Sequence, residues 1–379
     1  MQQLLAGFPI VTITGPRQSG KTTLAKAIFS DRPYFSLEDP DVRIWAQDDP
    51  RDFLAQLPDG GVIDEIQRVP DLLSYLQTCT DSDGRMGRFL LTGSQQFGLI
   101  AGISQSLAGR SAFVELPPFS WSELAASKRL PSSLEAACLS GGYPPLYDRP
   151  VSPQQWLPAY VTAYVERDVR QITKVQDLDS FQRFVRLCAG RSGQVLNCAA
   201  LAADCGITAQ TARSWIGILE TSYLVFLLRP HHRNFNKRLV KAPKLYFYDS
   251  GLLCWLLGIT KLDHLITHPL RGAIAESAIV AEMRKAAVNR GFPPTLWYWR
   301  DNHGLEVDVV VEQGGRLLPI EIKSGHTVAK DATKALKRWT TLAGDEALPP
   351  TLIYGGSQGM QRSGVTILPW WESGRIWQS

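Results

Sequence analysis

The sequence predicts an α/β chain in which a parallel sheet with a phosphate-binding loop comes first, followed by a helical lid, a winged helix and a second α/β domain. Three observations predict this order. An apolar run, a glycine-rich loop and a helical stretch occupy residues 8–29. Two further apolar runs, at 61–65 and 88–95, end in acidic or small polar residues. Near the C-terminus, a helical pattern at 271–287 precedes two strands that carry acidic residues. At 379 residues, the chain is long enough for two or three domains.

The glycine-rich loop has the spacing of a P-loop, Gly15-Pro16-Arg17-Gln18-Ser19-Gly20-Lys21-Thr22, with Thr23 next in the helix. Glycines at both ends let the backbone turn its N–H groups toward a β-phosphate, and the helix N-terminus adds its positive dipole end. Lys21 supplies a charge to the β- and γ-phosphates, and the Thr22 hydroxyl is a ligand for Mg²⁺. These residues, 15–23, are therefore predicted to bind ATP with Mg²⁺. The alternative is a chance glycine loop that binds no nucleotide.

A second motif, Gly61-Val62-Ile63-Asp64-Glu65, is a short apolar strand that ends in two acids and resembles Walker B. Asp64 is the expected Mg²⁺ ligand, usually through a water, and Glu65 is the expected base that orients or deprotonates the attacking water. Gly60-Gly61 shorten the apolar run, so the strand is expected to begin late. The alternative is an acidic surface turn.

A third apolar run, Arg88-Phe89-Leu90-Leu91-Thr92-Gly93-Ser94-Gln95, predicts a neighbouring strand. In P-loop ATPases such a strand carries a polar residue aimed at the γ-phosphate, called sensor 1. Thr92 and Ser94 are both candidates, and either one alone is equally well explained by a polar turn at the end of a strand.

Arg110 follows a predicted helix over Leu99 to Ala108 and precedes a predicted strand at 112–116. In AAA-type ATPases an arginine at this place often reaches the γ-phosphate of a neighbouring subunit, where it stabilises transition-state charge. Such a role would require a homo-oligomer. The alternative is a helix cap, because a helix C-terminus favours a cation.

The chain resembles the bacterial AAA-family ATPases with a C-terminal domain of unknown function, which are similar to initiator-like and signalling-type AAA ATPases. The resemblance covers residues 1 to about 330 and rests on the motifs above and on Leu107-Ala108-Gly109-Arg110, Pro118-Phe119-Ser120, Gly141-Gly142-Tyr143-Pro144 and Glu166-Arg167-Asp168. It implies ATP hydrolysis. It also implies that Pro144 contacts the adenine base, since a Gly-x-Pro element of the lid lies there in the family.

Composition is that of a globular protein of a reducing compartment. Apolar residues make up 44% and charged residues 20% of the chain. The six cysteines include no Cys-x-x-Cys pair, and no apolar run approaches the roughly eighteen residues of a membrane span. We therefore expect a cytoplasmic location and no membrane partner. The net charge of +4 permits nucleic-acid binding without requiring it.

Four regions are expected: an ATPase core at 1–120, a helical lid and connector at 121–175, a winged helix at 176–260 and a final domain at 261–379. Within the connector, helical patterns cover 123–139 and 156–171. In the third region, two short helical stretches joined by a turn at Gly206 precede two strands, which is the order of a winged helix.

The connection between those two strands is basic. From Arg229 to Lys244 it contains Arg233, Lys237, Arg238 and Lys241 and no acidic residue. Such a run suits contact with nucleic-acid phosphates without base reading. A solvated hairpin and a face for another subunit are the alternatives.

The final domain resembles the PD-(D/E)xK nuclease fold. Asp308 lies in one predicted strand, and Glu321 and Lys323 share a face of the next strand, after a Gly314-Gly315 turn. The resemblance implies that Asp308 and Glu321 hold Mg²⁺, that Glu276 completes the acidic site, and that Lys323 activates water or stabilises charge. Paired surface carboxylates, or a nuclease-like fold kept only for binding, are the alternatives.

Two functions remain open on the sequence. In one, the nucleotide state of an ATPase controls a nuclease that acts on DNA or RNA. In the other, a nucleotide-dependent switch or assembly protein uses an inactive nuclease-like domain to bind a partner.

Overall fold

The computed structural model of the chain describes residues 1–94, 107–166, 178–233, 235 and 239–377, without the side chains of 164–166. The chain divides into two compact units. Residues 1–118 with 221–223 form the N-terminal unit, and residues 119–220 with 224–379 form the C-terminal unit. The finer four-part division stays a prediction.

The N-terminal unit is built on a five-stranded sheet whose neighbouring strands are all parallel, in the order β2-β3-β4-β1-β5. Because β4 lies between β1 and β3, the segments that follow these strands emerge at the same edge of the sheet. This confirms the predicted α/β domain. The strands are β1 Ile10–Thr14, β2 Tyr34–Ser36, β3 Gly61–Asp64, β4 Phe89–Gly93 and β5 Ser111–Glu115.

Helices flank this sheet, and prolines and aspartates fix where two of them begin. Asp39 and Asp49 each precede a proline, and their carboxylates accept hydrogen bonds from backbone N–H groups of the first turn. The helices are Gln2–Gly7, Lys21–Ile28, Pro40–Asp48, Pro50–Ala55 and Leu72–Asp83, with a 3₁₀ turn at Ile66–Arg68. The predicted helix over 99–108 falls largely outside the described residues.

Both faces of the parallel sheet are buried, as the continuous apolar runs predict. Ile10, Ile63 and Leu91 belong to one hydrophobic cluster, and Val11 and Leu90 belong to another. Alternate residues of each strand therefore serve opposite faces of the sheet.

Two glycines open β3, which begins at Gly61. A Cβ at Gly60 would lie 1.8 Å from the Arg88 carbonyl oxygen, and the Gly60 φ is +85°. A Cβ at Gly61 would lie 2.5 Å from the Pro33 carbonyl oxygen. Close approach of the neighbouring backbone, and not a break in the strand, explains why these glycines interrupt the apolar run.

The C-terminal unit begins with short helices and corrects two predictions. The expected helical stretch at 123–139 is two helices, because Pro131 interrupts it and Ser133 caps the second helix by accepting a hydrogen bond from Ala136 N. The expected helix at 156–171 is a helix at Pro153–Tyr160 that continues as a π-helix at Val161–Glu166, and 167–171 lie outside the described residues.

The two helices joined at Gly206 and the helix Arg271–Asn289 agree with the sequence pattern to within a few residues. Trp215 packs against Phe181 and Phe184 at ring-centroid distances of 5.2 and 5.3 Å. The helices are Trp121–Ala126, Leu134–Ser140, Pro145–Asp148, Leu178–Ala189, Cys198–Cys205, Ala209–Thr221, Ser250–Leu256, Leu262–Thr267, Arg271–Asn289 and Lys334–Ala343, with 3₁₀ segments at Gly344–Glu346 and Trp370–Trp377.

Two antiparallel strands, β6 Val225–Leu228 and β7 Lys244–Phe247, follow the helices at Cys198–Cys205 and Ala209–Thr221. Gly206, with a φ of +73°, joins these two helices. The order of elements is the one predicted for a winged helix, and that assignment stays a prediction.

A six-stranded mixed sheet, in the order β12-β13-β11-β10-β9-β8, forms the rest of this unit. The strands β9 and β10 make an antiparallel hairpin whose turn is Gly314-Gly315, both at positive φ, as predicted. The strands are β8 Leu296–Arg300, β9 Glu306–Gln313, β10 Arg316–Lys323, β11 Thr351–Tyr354, β12 Met360–Arg362 and β13 Val365–Pro369.

The helix Lys334–Ala343 packs on this sheet through Leu336 and Trp339, which share a buried cluster with Trp299 and Val310. The helix Arg271–Asn289 contacts β7 and β10. Among the described residues, no helix combines the length and the apolar character that a membrane crossing needs.

We predict that Gly60→Ala destabilises the N-terminal unit more than Gly84→Ala does. Both glycines have positive φ, but a Cβ at Gly84 meets no atom within 4 Å. The strain of a positive φ costs about 1 kcal/mol in each variant, and the clash with Arg88 raises the cost at Gly60 to about 2 kcal/mol or more. Hydrogen exchange of the β3 and β4 amides measures the difference. Equal losses of protection in the two variants would contradict this account.

Candidate nucleotide site of the N-terminal unit and acidic cluster of the C-terminal unit

The P-loop connects β1 to the helix Lys21–Ile28 at the carboxyl edge of the parallel sheet. Gly15 has a φ of +145°, and a Cβ there would lie 2.3 Å from the Leu116 carbonyl oxygen. Gly20 has a φ of +96° and is the N-cap of the helix. The Lys21 ammonium donates to the carbonyl oxygens of Gly15 and Pro16, at 3.1 and 2.7 Å. The loop is thus closed around its own lysine.

The other P-loop residues differ in exposure. Ser19 is buried, whereas Thr23 is exposed. Arg17 Nη1 lies 3.7 Å from Glu38 Oε1, and Gln18 adopts a left-handed φ of 60°. Their roles in nucleotide binding stay predictions.

Asp64 ends β3 and is 5% exposed. The Thr22 hydroxyl donates to Asp64 Oδ2 at 2.9 Å. The two residues that were predicted to hold a metal ion are therefore in direct contact. Hydroxyl and carboxylate oxygens are the hard donors that Mg²⁺ prefers, so this pair fits the ion.

Two further hydroxyls bind the same carboxylate. Tyr34 donates to Asp64 Oδ2 at 2.6 Å, and Thr92 donates to Asp64 Oδ1. Burial, and then the neighbouring Asp64 carboxylate, raise the pKa of the Tyr34 phenol well above its ordinary value. Sequence reasoning missed Tyr34 because β2 has only three residues; the available signal was the apolar Tyr34-Phe35 pair between the P-loop helix and β3.

Glu65 adopts the left-handed conformation, with φ 58° and ψ 45°. Its backbone N–H donates to Thr92 Oγ1 at 3.2 Å, and its Oε2 accepts from Ser94 Oγ at 3.2 Å and from the Gln67 amide. The two sensor candidates are therefore divided between the two acids. The Thr92 hydroxyl donates to Asp64, and the Ser94 hydroxyl donates to Glu65.

Arg110 pairs with Asp81, with Nη2 2.9 Å from Oδ2. The Asp81 carboxylate, acting first through this hydrogen bond, raises the pKa of the Arg110 guanidinium. The helix that Arg110 would cap in the alternative interpretation lies largely outside the described residues. The ion pair with Asp81 was not foreseen, and the finger role stays a prediction.

Pro144 belongs to the C-terminal unit, where it is buried at the start of the helix Pro145–Asp148. The neighbouring Tyr143 hydroxyl lies 3.0 Å from the Tyr160 hydroxyl. The predicted contact of Pro144 with the adenine base stays a prediction.

The second candidate site lies in the six-stranded sheet. Ile320 pairs with Val309 in the β9–β10 ladder, so Asp308 and Glu321 are at the next opposed positions. The Ile322 N–H donates to Asp308 Oδ2 at 2.8 Å, and Lys323 Nζ lies 2.6 Å from Glu321 Oε1. The structure thus brings the predicted strand residues together.

Glu276 lies near these strand residues. We call Glu276, Glu306, Asp308 and Glu321 the acidic cluster. Glu276 Oε1 accepts hydrogen bonds from Lys244 Nζ at 3.0 Å and from the Tyr246 hydroxyl at 2.5 Å. Within the described ranges, no group of three or more His, Cys, Asp or Glu side chains is arranged to hold a metal ion. The metal-binding role of the cluster stays a prediction.

The charges of the cluster act on one another. Burial, followed by the charges of Glu276 and Glu321, raises the pKa of Asp308 well above its ordinary value. Burial also raises the pKa of Glu321, while the hydrogen bond from Lys323 acts against it. Glu321 Oε2 is buried without a hydrogen-bond partner among the described residues.

The basic segment from Arg229 to Lys244 lies along β8. The Arg229 carbonyl accepts from Tyr298 N at 3.1 Å, and Val240 N donates to the Arg300 carbonyl at 3.1 Å. Lys237 and Arg238 are outside the described residues. The segment therefore covers part of a sheet edge, which the sequence did not indicate.

Two cations of the basic segment do not fit the predicted role of a phosphate-binding run. Lys244 is only 2% exposed, and Arg233 pairs with Glu346. The phosphate-contact interpretation counted acids only within the segment and overlooked acids distant in sequence. Arg229 and Lys241 remain exposed.

We predict that Tyr34→Phe raises the Mg²⁺ concentration needed for half-maximal ATP hydrolysis, because Asp64 loses the hydroxyl that orients it. Loss of such a supporting hydrogen bond typically weakens metal affinity by about 10- to 100-fold. ATP binding without Mg²⁺ should be unchanged. Tyr75→Phe, at a more exposed tyrosine of the helix Leu72–Asp83, is the control. An unchanged Mg²⁺ dependence in Tyr34→Phe would remove Tyr34 from this role.

Comparison with known families divides the chain in three. Residues 7–125 match an AAA domain, residues 131–263 match a domain of unknown function, DUF8612, and residues 271–372 match another, DUF4143. The AAA match supports the P-loop ATPase-like character of the N-terminal unit and implies nucleotide binding, for which Mg²⁺ is typical.

A solved structure, that of protein VC1899 from Vibrio cholerae, aligns over 97% of this chain and 96% of its own at 9% identity and a TM-score of 0.22. At that score the alignment carries no argument about this chain.

Two curated relatives are uncharacterized proteins, Mb2031c of Mycobacterium bovis and Rv2008c of Mycobacterium tuberculosis. Each is 33% identical to this chain over 331 residues, which cover 86% of this chain and 73% of the relative. The chain, with its N-terminal AAA domain and its C-terminal DUF4143 region, therefore belongs to the family of these two mycobacterial proteins.

Proposed function

We propose that the N-terminal unit binds ATP and hydrolyses it in the presence of Mg²⁺. One observation carries the proposal: a phosphate-binding loop, the Thr22–Asp64 pair and the supported carboxylate of Glu65 meet at one edge of the parallel sheet. Parallel α/β sheets bind ligands at this edge.

The P-loop supplies the phosphate contacts in this proposal. Backbone N–H groups between Gly15 and Gly20 face the phosphates, and the ammonium of Lys21 stabilises charge on the β- and γ-phosphates. Thr22 and Asp64 would hold Mg²⁺, which neutralises phosphate charge when it is bound.

Glu65 is the proposed base. Ser94 and Gln67 hold its Oε2 beside Asp64, and no cation pairs with this carboxylate within the described part of the chain. A carboxylate held in this way can orient a water molecule for attack in line with the leaving phosphate.

Arg110 is proposed as an arginine finger toward a second copy of the chain. To act in this way, its guanidinium would have to leave Asp81, with which it makes a partly exposed ion pair. Exposed ion pairs of this kind are weak because water screens their charges, so the exchange is feasible.

A second candidate function concerns the C-terminal unit. We propose that it binds the phosphodiester backbone of nucleic acid as a nuclease-like scaffold. A cavity of about 670 Å³ lies beside Glu321 and Lys323, and Lys334 and Arg338 also line it. These two cations are four residues apart on one helix, and neither has a carboxylate partner within the described part of the chain.

Cleavage under the control of ATP is the stronger form of this hypothesis. Cleavage is supported by the proximity of Asp308, Glu321 and Lys323 on β9 and β10. Against it, Lys244 already neutralises the neighbouring Glu276. This contact favours the alternative in which the nuclease-like domain binds its partner without cutting it.

For the ATPase, we predict that Lys21→Ala loses ATP binding because the charge facing the phosphates is removed. Glu65→Gln should bind ATP normally and hydrolyse it at least about 100-fold more slowly, the usual contribution of a general base. Isothermal titration and phosphate release measure the two effects. Arg51→Ala, at an exposed cation of the helix Pro50–Ala55, is the control. Wild-type turnover by Glu65→Gln would exclude Glu65 as the base.

For the C-terminal unit, we predict that Lys334→Ala/Arg338→Ala weakens binding of a labelled duplex or single strand by about tenfold and lowers the salt dependence by about two phosphate contacts. Fluorescence anisotropy measures the affinity over a series of salt concentrations. Lys337→Ala, at an exposed lysine of the same helix that does not line the cavity, is the control. Equal affinities in all three proteins would refute the proposed surface, and Mn²⁺-dependent cutting by the wild type would restore the nuclease hypothesis.

A further inference from the structure

Lys244 lies at the centre of the acidic cluster of the C-terminal unit. Its side chain is 3% exposed, and its Nζ lies 3.0 Å from Glu276 Oε1 and 2.5 Å from Glu306 Oε1. The lysine comes from β7, whereas the acids come from the helix Arg271–Asn289 and from β9. A cation from one segment of the chain therefore neutralises acids from two others.

The rest of the cluster strengthens this arrangement. Asp308 and Glu321 occupy opposed positions on β9 and β10. Burial, followed by the charges of Glu276 and Glu321, raises the pKa of Asp308. Burial lowers the pKa of the Lys244 ammonium, but the carboxylates, Glu276 first among them, raise it above its ordinary value. The lysine is therefore held in its charged form.

The Lys244 ammonium occupies the carboxylate oxygens of Glu276 and Glu306 that a divalent cation would need. Mg²⁺ and similar ions bind carboxylate oxygens at about 2.1 Å, and Glu276 Oε1 already accepts two hydrogen bonds, from Lys244 and from Tyr246. A second positive charge beside a buried ammonium would also be repelled across a medium of low dielectric constant.

We propose that Lys244 is the built-in cation of this site, which takes the place of a divalent metal ion and makes residue 244 the determinant of whether the C-terminal unit binds metal. The proposal goes beyond the nucleic-acid surface proposed above, although it concerns the same domain. It depends on the four acids and on Lys244, which pairs with Glu276 and Glu306, whereas Lys323 pairs with Glu321. It does not depend on DNA binding or on ATP hydrolysis.

The test is Mn²⁺ binding to the full chain without nucleotide, followed by the electron paramagnetic resonance signal of free Mn²⁺. Wild type should bind no Mn²⁺ through the acidic cluster. Lys244→Met should gain one site that is at least about tenfold tighter than any site in the wild type, because charge count sets the affinity of such sites. Lys244→Met/Asp308→Asn should lose this gain.

Lys285→Met is the matched control. Lys285 is also a buried lysine, with Nζ 2.7 Å from Glu282 Oε1, but among the described residues it pairs with one acid only. Its replacement should create no Mn²⁺ site. If Lys244→Met does not fold, Lys244→Gln/Glu306→Gln takes its place, since it removes the ammonium together with one of its two partners, and the same gain is expected.

Two results would overturn the proposal. One is Mn²⁺ binding by the wild type that Asp308→Asn abolishes, which would show that metal and lysine coexist. The other is a folded Lys244 variant with no gain over Lys285→Met. Because DNA is absent from this experiment, its failure is distinguishable from failure of the nucleic-acid proposal.

Discussion

The carboxylate of Asp64 is the contact on which the candidate nucleotide site depends. It receives hydroxyl hydrogen bonds from Thr22 of the P-loop helix, Tyr34 of β2 and Thr92 of β4. Hydrogen bonds to an ionised acceptor contribute about 1.5–3 kcal/mol each. One buried charge therefore ties three separate segments of the sheet together at the edge where the P-loop lies. Thr22 therefore contacts Asp64 directly, and Thr92 links Asp64 to the backbone N–H of Glu65.

The sequence predicted which residues of the N-terminal unit lie close together, because the motifs that carry them are local. The P-loop and the strand that ends in Asp64-Glu65 are contiguous motifs, and a parallel sheet brings their ends to one edge. The contribution of Tyr34 could not be predicted in this way, because β2 is short and its contact with Asp64 depends on strand order. The sequence also could not predict that Thr92 contacts Asp64 while Ser94 contacts Glu65, since strand alternation alone leaves both side chains near the acids.

The acidic cluster of the C-terminal unit could be predicted only in part from the sequence. Its strand residues follow from the β9–β10 hairpin, which the Gly314-Gly315 turn predicts. Lys244 was instead counted among solvent-facing cations, because the neighbouring sequence contains no acid. Its partners lie 32 residues away at Glu276 and on β9 at Glu306, so only tertiary packing reveals the pairing. A buried lysine is stable only with such partners, and the same burial removes it from any role in binding phosphates.

The most direct test of the Asp64 account is an experimental structure of the protein with Mg²⁺ and a non-hydrolysable ATP analogue. We expect the metal at about 2.1 Å from Thr22 Oγ1. The hydrogen bond between Thr22 and Asp64 should be replaced by contacts of both residues to the metal or to its bound water. A metal bound elsewhere, with the 2.9 Å hydrogen bond between Thr22 and Asp64 intact, would contradict it.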